Sequence, residues 1–203
     1  MEKSKYIIEK ASELYFQYGI KSLTIDELAK ELGVSKKTIY RCFKDKEEMV
    51  EKAVNYYFDK KRVGHENLGD KKSNAVDKVL HLRSFITMVF QTYNSKVFFD
   101  LKRLYPRIYD KLNREKHNRI TEMVELNLTE GQKQGLYRKD LSIDIVAKLL
   151  AGEFLLTINP IYNIFSVNET LTDTLFDEMW DYHMHALCTP KGLKHFKQLQ
   201  RSK

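Results

Sequence analysis

Residues 24–46 read TIDELAKELGVSKKTIYRCFKDK, and this stretch decides the fold. Thr24 and Glu27 stand at the spacing of a capping box, where side chain and backbone satisfy each other's orphan groups at a helix start. Ile25, Leu28, Ala29 and Leu32 follow at helical spacing and make one apolar face. Gly33 comes directly after that face, at a C′ position that calls for a left-handed backbone. Val34 is apolar and can fill the angle between two helices. Ser35 predicts the N-cap of a second helix of about two turns, Lys36 to Phe43. In that helix Ile39 and Phe43, an i,i+4 pair, face inward. Lys36, Lys37, Thr38, Tyr40 and Arg41 are left to point outward.

Two short helices joined by a glycine turn form a helix-turn-helix, which lays its second helix in a DNA major groove. Any small helical hairpin has caps, a glycine and an apolar face, so the charge has to decide. From Gly33 to Lys46 there are five cationic residues against one acidic, Asp45. The outward positions also mix Lys and Arg with Thr and Tyr, which bond phosphate oxygens or base edges.

The flanks make the motif specific. Upstream, Ile7, Ile8, Ala11, Leu14, Tyr15 and Phe16 give a helix that ends near Tyr18-Gly19. Downstream, Asp45 to Glu48 is a second capping box, opening a long helix through Met49, Val50, Ala53, Val54 and Tyr57. The run I-x-x-A-x-x-L-Y-F-x-Y-G, then T-I-D-E-L-A-K-E-L-G-V-S-K-K-T-I-Y-R-C-F, then K-x-K-E-E-M, resembles the DNA-binding domain of the TetR family of bacterial regulators. The likeness covers residues 6 to 50 without a gap. A weaker likeness runs from Glu130 to Gly152, EGQKQGLYRKDLSIDIVAKLLAG, which looks like the turn between the seventh and eighth helices of that family.

The resemblance implies roles position by position. Lys36, Lys37 and Arg41 are placed to reach base edges, and Lys or Arg to guanine is the commonest specific contact. Thr38 and Tyr40 match positions that hold the phosphate backbone. Lys46 matches a lysine used the same way, helped by the positive end of its helix. Thr24 and Ser35 complete the expected DNA-binding set as caps of the two helices. Lys37 stands where the family often has Gly or Ala, and Cys42 where it often has His or Tyr. Both departures bear on which operator is read.

Composition agrees with this outline. The chain of 203 residues is 42% apolar with three prolines, long enough for a real core and for unhindered helices. Its net charge of +7 suits a polyanionic partner. No apolar run is long enough to cross a membrane, and the N-terminus MEKSKYIIEK is too charged for a signal peptide. Cys42 and Cys188 lie far apart without metal-type spacing. A cytoplasmic protein with reduced thiols is expected.

Past the first domain the chain reads helical throughout, giving an all-α fold. The first domain is expected at residues 1–50, its last helix continuing to about 63, and the second at 74–203. The polar segment His65 to Asn74 is the expected linker. Helices are expected from Ala75 to Tyr93, Lys96 to Tyr105, Pro106 to a C′ at Gly131 or Gly135, Ser142 to Ile158, and Leu171 to Leu187. Asn159-Pro160 should break between the last two. The basic tail from Lys191 reads as solvated surface.

The second domain is rich in aromatic residues, and packing is their default use. The sharper alternative is a ligand pocket between helices, lined by Phe85, Met88, Val89, Tyr93, Phe98, Phe99, Leu104, Tyr105, Met123 and Phe154. Thr87, Gln91 and Asn94 are further candidates for polar groups in it. These residues offer no concentration of charge, so the expected effector is a small apolar or aromatic molecule with one or two polar groups. The last two helices carry apolar stripes. One holds Ile145, Val146, Leu149, Leu150, Phe154 and Leu155, with small Ala151 and Gly152. The other holds Leu175, Phe176, Met179, Trp180, His183 and Leu187. In the family this chain resembles, the corresponding helices pair with their copies in a four-helix bundle. A homodimer is therefore expected, with Leu150, Phe154, Phe176, Met179, Trp180 and His183 at its interface.

Catalysis and metal binding find little support, and no cofactor is expected. The six histidines are scattered, and His183 and His185 point to different helix faces. Gly-rich phosphate loops and nucleophile elbows are missing. Cys42 lies among lysines that favour a thiolate, but a cysteine without a resolving partner is more often inert. The expected protein is an effector-responsive transcriptional regulator, and repression is its expected mode. It would read a palindromic double-stranded operator until a ligand moves its two reading heads apart. Such couplings are typically ~1–3 kcal/mol. The rival from another class is a helical small-molecule-binding protein or enzyme without sequence-specific DNA binding.

Overall fold

The computed structural model describes residues 2–63, 73–79, 95–157, 164–166, 169 and 172–201. These are helical nearly throughout, and their one extended pairing is an antiparallel bridge between Tyr137 and Cys188. The helices are α1 Glu2–Tyr18, α2 Ile25–Glu31, α3 Lys36–Cys42, α4 Lys46–Val63, α5 Ser95–Leu104, α6 Pro106–Lys133, α7 Ile143–Thr157, α8 Asp173–Leu187 and α9 Pro190–Arg201.

By packing, the chain divides into two units, residues 1–66 with 94–113, and residues 67–93 with 114–203. The sequence boundary at residue 74 placed 94–113 in the second domain. In the structure α5 is drawn to the first unit, because Val97 and Leu101 are fully buried in its core and Ile108 nearly so. Asp100, itself buried, accepts a hydrogen bond from the Lys21 amide at 2.8 Å. This polar bond joins α5 to the turn between α1 and α2.

The first core gathers Ile7, Ala11 and Tyr15 of α1, Leu28 and Ala29 of α2, Ile39 of α3, and Met49, Val50, Ala53 and Val54 of α4. Fully burying such a side chain stabilises by about 1.5–3 kcal/mol before entropy is counted. Phe16 stacks on Tyr57 with centroids 3.4 Å apart, and Phe58 packs at 5.9 Å from Phe98 of α5.

The second core is built from Ala75, Val76 and Val79, Leu128 of α6, Leu136, Tyr137, Ala147 of α7, Met184 and Leu187 of α8, Cys188 and Phe196 of α9. The buried Tyr137 hydroxyl donates to the Ala75 carbonyl at 3.2 Å and to Asn127 Oδ1 at 3.1 Å. Between the two expected terminators of α6, Gly135 takes the role with φ 69°, while Gly131 stays inside the helix. The tail from Lys191 is not simply solvated. It forms α9, with the Thr189 hydroxyl accepting from the Gly192 amide at 3.2 Å and Phe196 fully buried. Leu193, Phe196 and Leu199 recur at helical spacing and carry that signal, which the many lysines obscured. Residues 75–79 are helical as expected. The rest of the helix to Tyr93, most of the linker from His65, and Asn159-Pro160 lie outside the described residues.

Candidate nucleic-acid interface

Each end of the α2–α3 pair is fixed by a bond the sequence encodes. The Thr24 hydroxyl accepts from the Glu27 amide at 3.2 Å, and Glu27 Oε2 accepts from the Thr24 amide at 2.6 Å. Both halves of the capping box are thus in place. At the other end Gly33 adopts φ 63°, its amide donating to Lys30 O at 3.2 Å while the Val34 amide donates to Ala29 O at 2.9 Å. That paired closure is a Schellman motif, and its left-handed residue is one that glycine occupies without penalty. Ser35 Oγ then accepts from the Thr38 amide at 3.1 Å and starts α3. The turn between the helices is therefore held by local bonds, and the direction of α3 follows from it.

Burial sorts the side chains of α3 into two faces. Ile39 and the following Phe43 are buried, and Cys42 packs half-buried against the same core. Lys36, Lys37, Tyr40 and Arg41 are exposed. Lys37, Tyr40 and Arg41 have no side-chain partner among the described residues. Lys36 makes an exposed ion pair with Asp26 of α2. Such pairs are weak in water, so a phosphate can displace the carboxylate at little cost. Thr38 is half-buried, with its hydroxyl 2.9 Å from Ser35 Oγ, so it is turned further toward the turn than its sequence position implied.

Lys46 differs more. Its ammonium donates to the carbonyls of Ile20, at 3.2 Å, and Leu23, and burial lowers its pKa against the opposing pull of Glu27 and Asp100. The side chain ties the start of α4 to the α1–α2 turn. The ammonium is thus already engaged by two backbone carbonyls of its own chain. At the entry of α4, Asp45 Oδ1 accepts from the Glu48 amide at 2.8 Å, while Glu48 Oε2 accepts from the Lys44 amide at 2.6 Å.

The expected effector residues are distributed unevenly. Phe85, Met88, Val89 and Tyr93 lie outside the described residues, as do Thr87, Gln91 and Asn94. Phe98, Phe99, Leu104 and Tyr105 belong to the first unit, whereas Met123 and Phe154 belong to the second. Phe98 and Tyr105 take part in packing the first unit, and Phe99 is 63% exposed. An open groove in the second unit is lined by Asn74, Gln134, Leu136, Lys191, Lys194, His195 and Gln198, a polar set unlike the apolar pocket expected. There His195 Nε2 lies 2.8 Å from Asp77 Oδ1 and 2.9 Å from Asn74 Nδ2.

The expected dimer residues turn out to be largely used inside the chain. Phe176 and His183 are buried, and Leu150 and Trp180 pack partly against the second core. Met179 and Phe154 are half-buried. His183 Nε2 lies 3.4 Å from Glu153 Oε2, and burial lowers the imidazole pKa against the pull of that carboxylate. The exposed apolar stripe is one residue out of phase with Leu150. It runs through Ile145, Leu149 (65% exposed) and Leu156, with half-buried Gly152 between the last two and Tyr182 of α8 70% exposed. A Cβ built on Gly152 would meet nothing within 4 Å.

No group of acidic, histidine or cysteine side chains suited to a metal occurs among the described residues, and none of the described helices is long and apolar enough to cross a membrane.

Residues 7–53 match the sequence profile of bacterial regulatory proteins of the tetR family. The HTH-type transcriptional repressor KstR2 of Mycobacterium tuberculosis is 24% identical over 149 residues, 71% of this chain and 74% of that protein. The HTH-type transcriptional regulator YuxN of Bacillus subtilis is 44% identical over 59 residues, which is 29% of this chain and only 20% of YuxN's length. A TetR transcriptional regulator from Chloroflexus aurantiacus shares the fold with TM-score 0.71 at 16% identity, over 92% of this chain and 96% of that one. A basic, capped reading helix thus lies within a segment, residues 7–53, that matches the DNA-binding profile of the tetR family of bacterial regulatory proteins, and the helical fold around it is shared with a TetR regulator over nearly the whole length.

Proposed function

We propose that the protein is a homodimeric, effector-responsive transcriptional repressor. The observation that carries this reading is the face of α3: Lys37, Tyr40 and Arg41 are exposed and, among the described residues, unpaired, on a helix whose opposite face is locked into the core. Two such helices, one per subunit, would enter successive major grooves of a roughly palindromic site, about 34–36 Å apart. Lys37 and Arg41 read base edges, Tyr40 and the caps hold phosphates, and Lys36 exchanges Asp26 for the duplex.

Two subunits would meet through Ile145, Leu149 and Leu156 of α7 and Tyr182 of α8. Contiguous exposed apolar side chains of this kind mark an interaction surface, and Gly152 lets a second helix approach closely. Repression is supported by the match to KstR2, a repressor by name, which extends well past the DNA-binding segment. The effector we assign to the second unit is a small molecule with a largely apolar body, working against DNA binding through a shared coupling free energy.

A gel shift against the DNA upstream of the protein's own gene, at two salt concentrations, tests the reading. A regulator gives a sequence-selective band that weakens as salt rises, because phosphate contacts release counterions. A protein that binds small molecules and gives no band at either salt is a helical binding protein or enzyme instead.

A further inference from the structure

The groove of the second unit has two walls brought together by packing. One is a face of α9, where Lys191, Lys194, His195 and Gln198 recur at i, i+3, i+4 and i+7. The other combines Asn74, which caps the helical residues 75–79, with Gln134 and Leu136 just past the end of α6. A Cβ on Gly192 would collide with the Leu136 carbonyl, so glycine is what lets α9 lie this close. The groove holds about 570 Å³. That falls within the range of about 300–1,000 Å³ usual for small-molecule sites.

The uncharged part of the lining is fixed. Asn74 Oδ1 accepts from the Val76 amide at 2.9 Å and the Asp77 amide at 3.1 Å. Its Nδ2 is thereby turned to α9 and lies 2.9 Å from His195 Nε2. Gln134 Oε1 accepts from the Ala75 amide and its Nε2 donates to Glu130 Oε1, both at 2.9 Å. The two ammoniums are not fixed in this way. Lys191 donates to the Gln134 carbonyl at a long 3.3 Å, and Lys194 is exposed with no partner among the described residues. No carboxylate lines the groove, and residues 189–203 contain neither Asp nor Glu. The carboxylates that touch its frame are already engaged. Asp77 Oδ1 lies 2.8 Å from His195 Nε2, and Glu130 Oε2 accepts from Lys78 at 2.6 Å. Uncompensated positive charge thus stands beside polar groups locked in place, and an anion entering there meets a preorganised frame.

We propose that this groove binds a small phosphate monoester, with Lys191 and Lys194 on the phosphoryl oxygens. Side chains three residues apart on a helix are neighbours, so the two ammoniums can converge on one group. A phosphoryl group answers both, because it carries nearly two charges at neutral pH and three acceptor oxygens. A monocarboxylate would answer one ammonium and leave the other as it is. The polar lining, with Leu136 its one apolar member, suits a hydrophilic body on the ester. The site is distinct from the largely apolar effector of the function proposed above, and it does not depend on DNA binding.

The test titrates glycerol 3-phosphate, inorganic phosphate, acetate and glycerol into the full-length protein at low ionic strength, read by calorimetry. Glycerol 3-phosphate should bind with a Kd of about 1 mM or tighter. Acetate and glycerol should bind at least ~10-fold more weakly, for want of the second charge-assisted bond. An ester that binds more tightly than inorganic phosphate supports the proposal and places its body in the groove; inorganic phosphate that binds as tightly or more so supports the phosphoryl site and makes free phosphate its ligand. Lys191→Gln and Lys194→Gln should each weaken phosphoryl binding ~10-fold or more. Lys197→Gln makes the same charge change at an exposed position of α9 outside the groove, and should alter it less than ~3-fold. No saturable binding of either phosphate, acetate that binds as tightly, or equal losses from Lys194→Gln and Lys197→Gln would each overturn the proposal.

Discussion

Helix α3 and the helices α7 and α8 belong to one chain, yet their outer surfaces are opposites. On α2 and α3 the apolar side chains point inward; α2 shows solvent mainly Asp26, Glu27, Lys30 and Glu31, while α3 shows Lys36, Lys37, Tyr40 and Arg41. On α7 and α8 apolar side chains occupy both sides. Ala147 and Met184 are buried, while Ile145, Leu149, Leu156 and Tyr182 are exposed. A polar cationic surface suits a hydrated polyanion, and an apolar one suits another apolar surface. On the function proposed above, the first face serves DNA and the second another copy of the chain, and neither substitutes for the other.

The sharpest way to break this contrast is to place a charge on the outer stripe. Leu149→Arg should give folded monomers that lose operator affinity by about 10²-fold or more, since the second reading head no longer binds as a tethered partner. Sedimentation and a DNA titration read this together, and a dimer of full affinity would remove the stripe from the interface. The neighbouring change Leu150→Arg should act differently, because Leu150 packs toward the core. It should lower folding stability by about 1–3 kcal/mol through an unpaired, partly buried charge, seen as a reduced melting temperature. If Leu150→Arg dissociates the dimer without destabilising the subunit, the phase of α7 is misassigned.

On the DNA-facing pair the effects are smaller. Arg41→Ala should cost about 1–3 kcal/mol on the operator and little on random duplex, as loss of a base contact would. Equal losses on both would make Arg41 a phosphate contact. Tyr40→Phe should weaken binding to every sequence by about 0.5–1.5 kcal/mol, the worth of one hydrogen bond to a phosphate. Competition titrations with operator and random DNA check it, and a loss confined to the operator would show that Tyr40 reads a base.

What the sequence made legible was local. Thr24 with Glu27, Gly33 and Ser35 each act on backbone groups within four residues, so their spacing already states the bond they make. What it concealed depends on distant partners. Lys46 looks like a free surface cation until the Ile20 and Leu23 carbonyls, more than twenty residues away, are seen to accept hydrogen bonds from its ammonium. Helix α5 belongs by sequence order to the second domain, and only the Asp100 bond to the Lys21 amide and the burial of Val97 and Leu101 attach it to the first. Leu150 and Leu149 are equally apolar on paper, and tertiary packing decides which of them is left outside.

A hydroxyl-radical footprint of the wild-type protein on its operator tests the central claim most directly. Two reading heads held by an α7–α8 interface should protect two patches on one side of the duplex, about 34–36 Å between centres, related by the symmetry of the site. Leu149→Arg should abolish both patches at the same protein concentration. A single protected patch for the wild type, or two patches that persist in Leu149→Arg, would contradict the account.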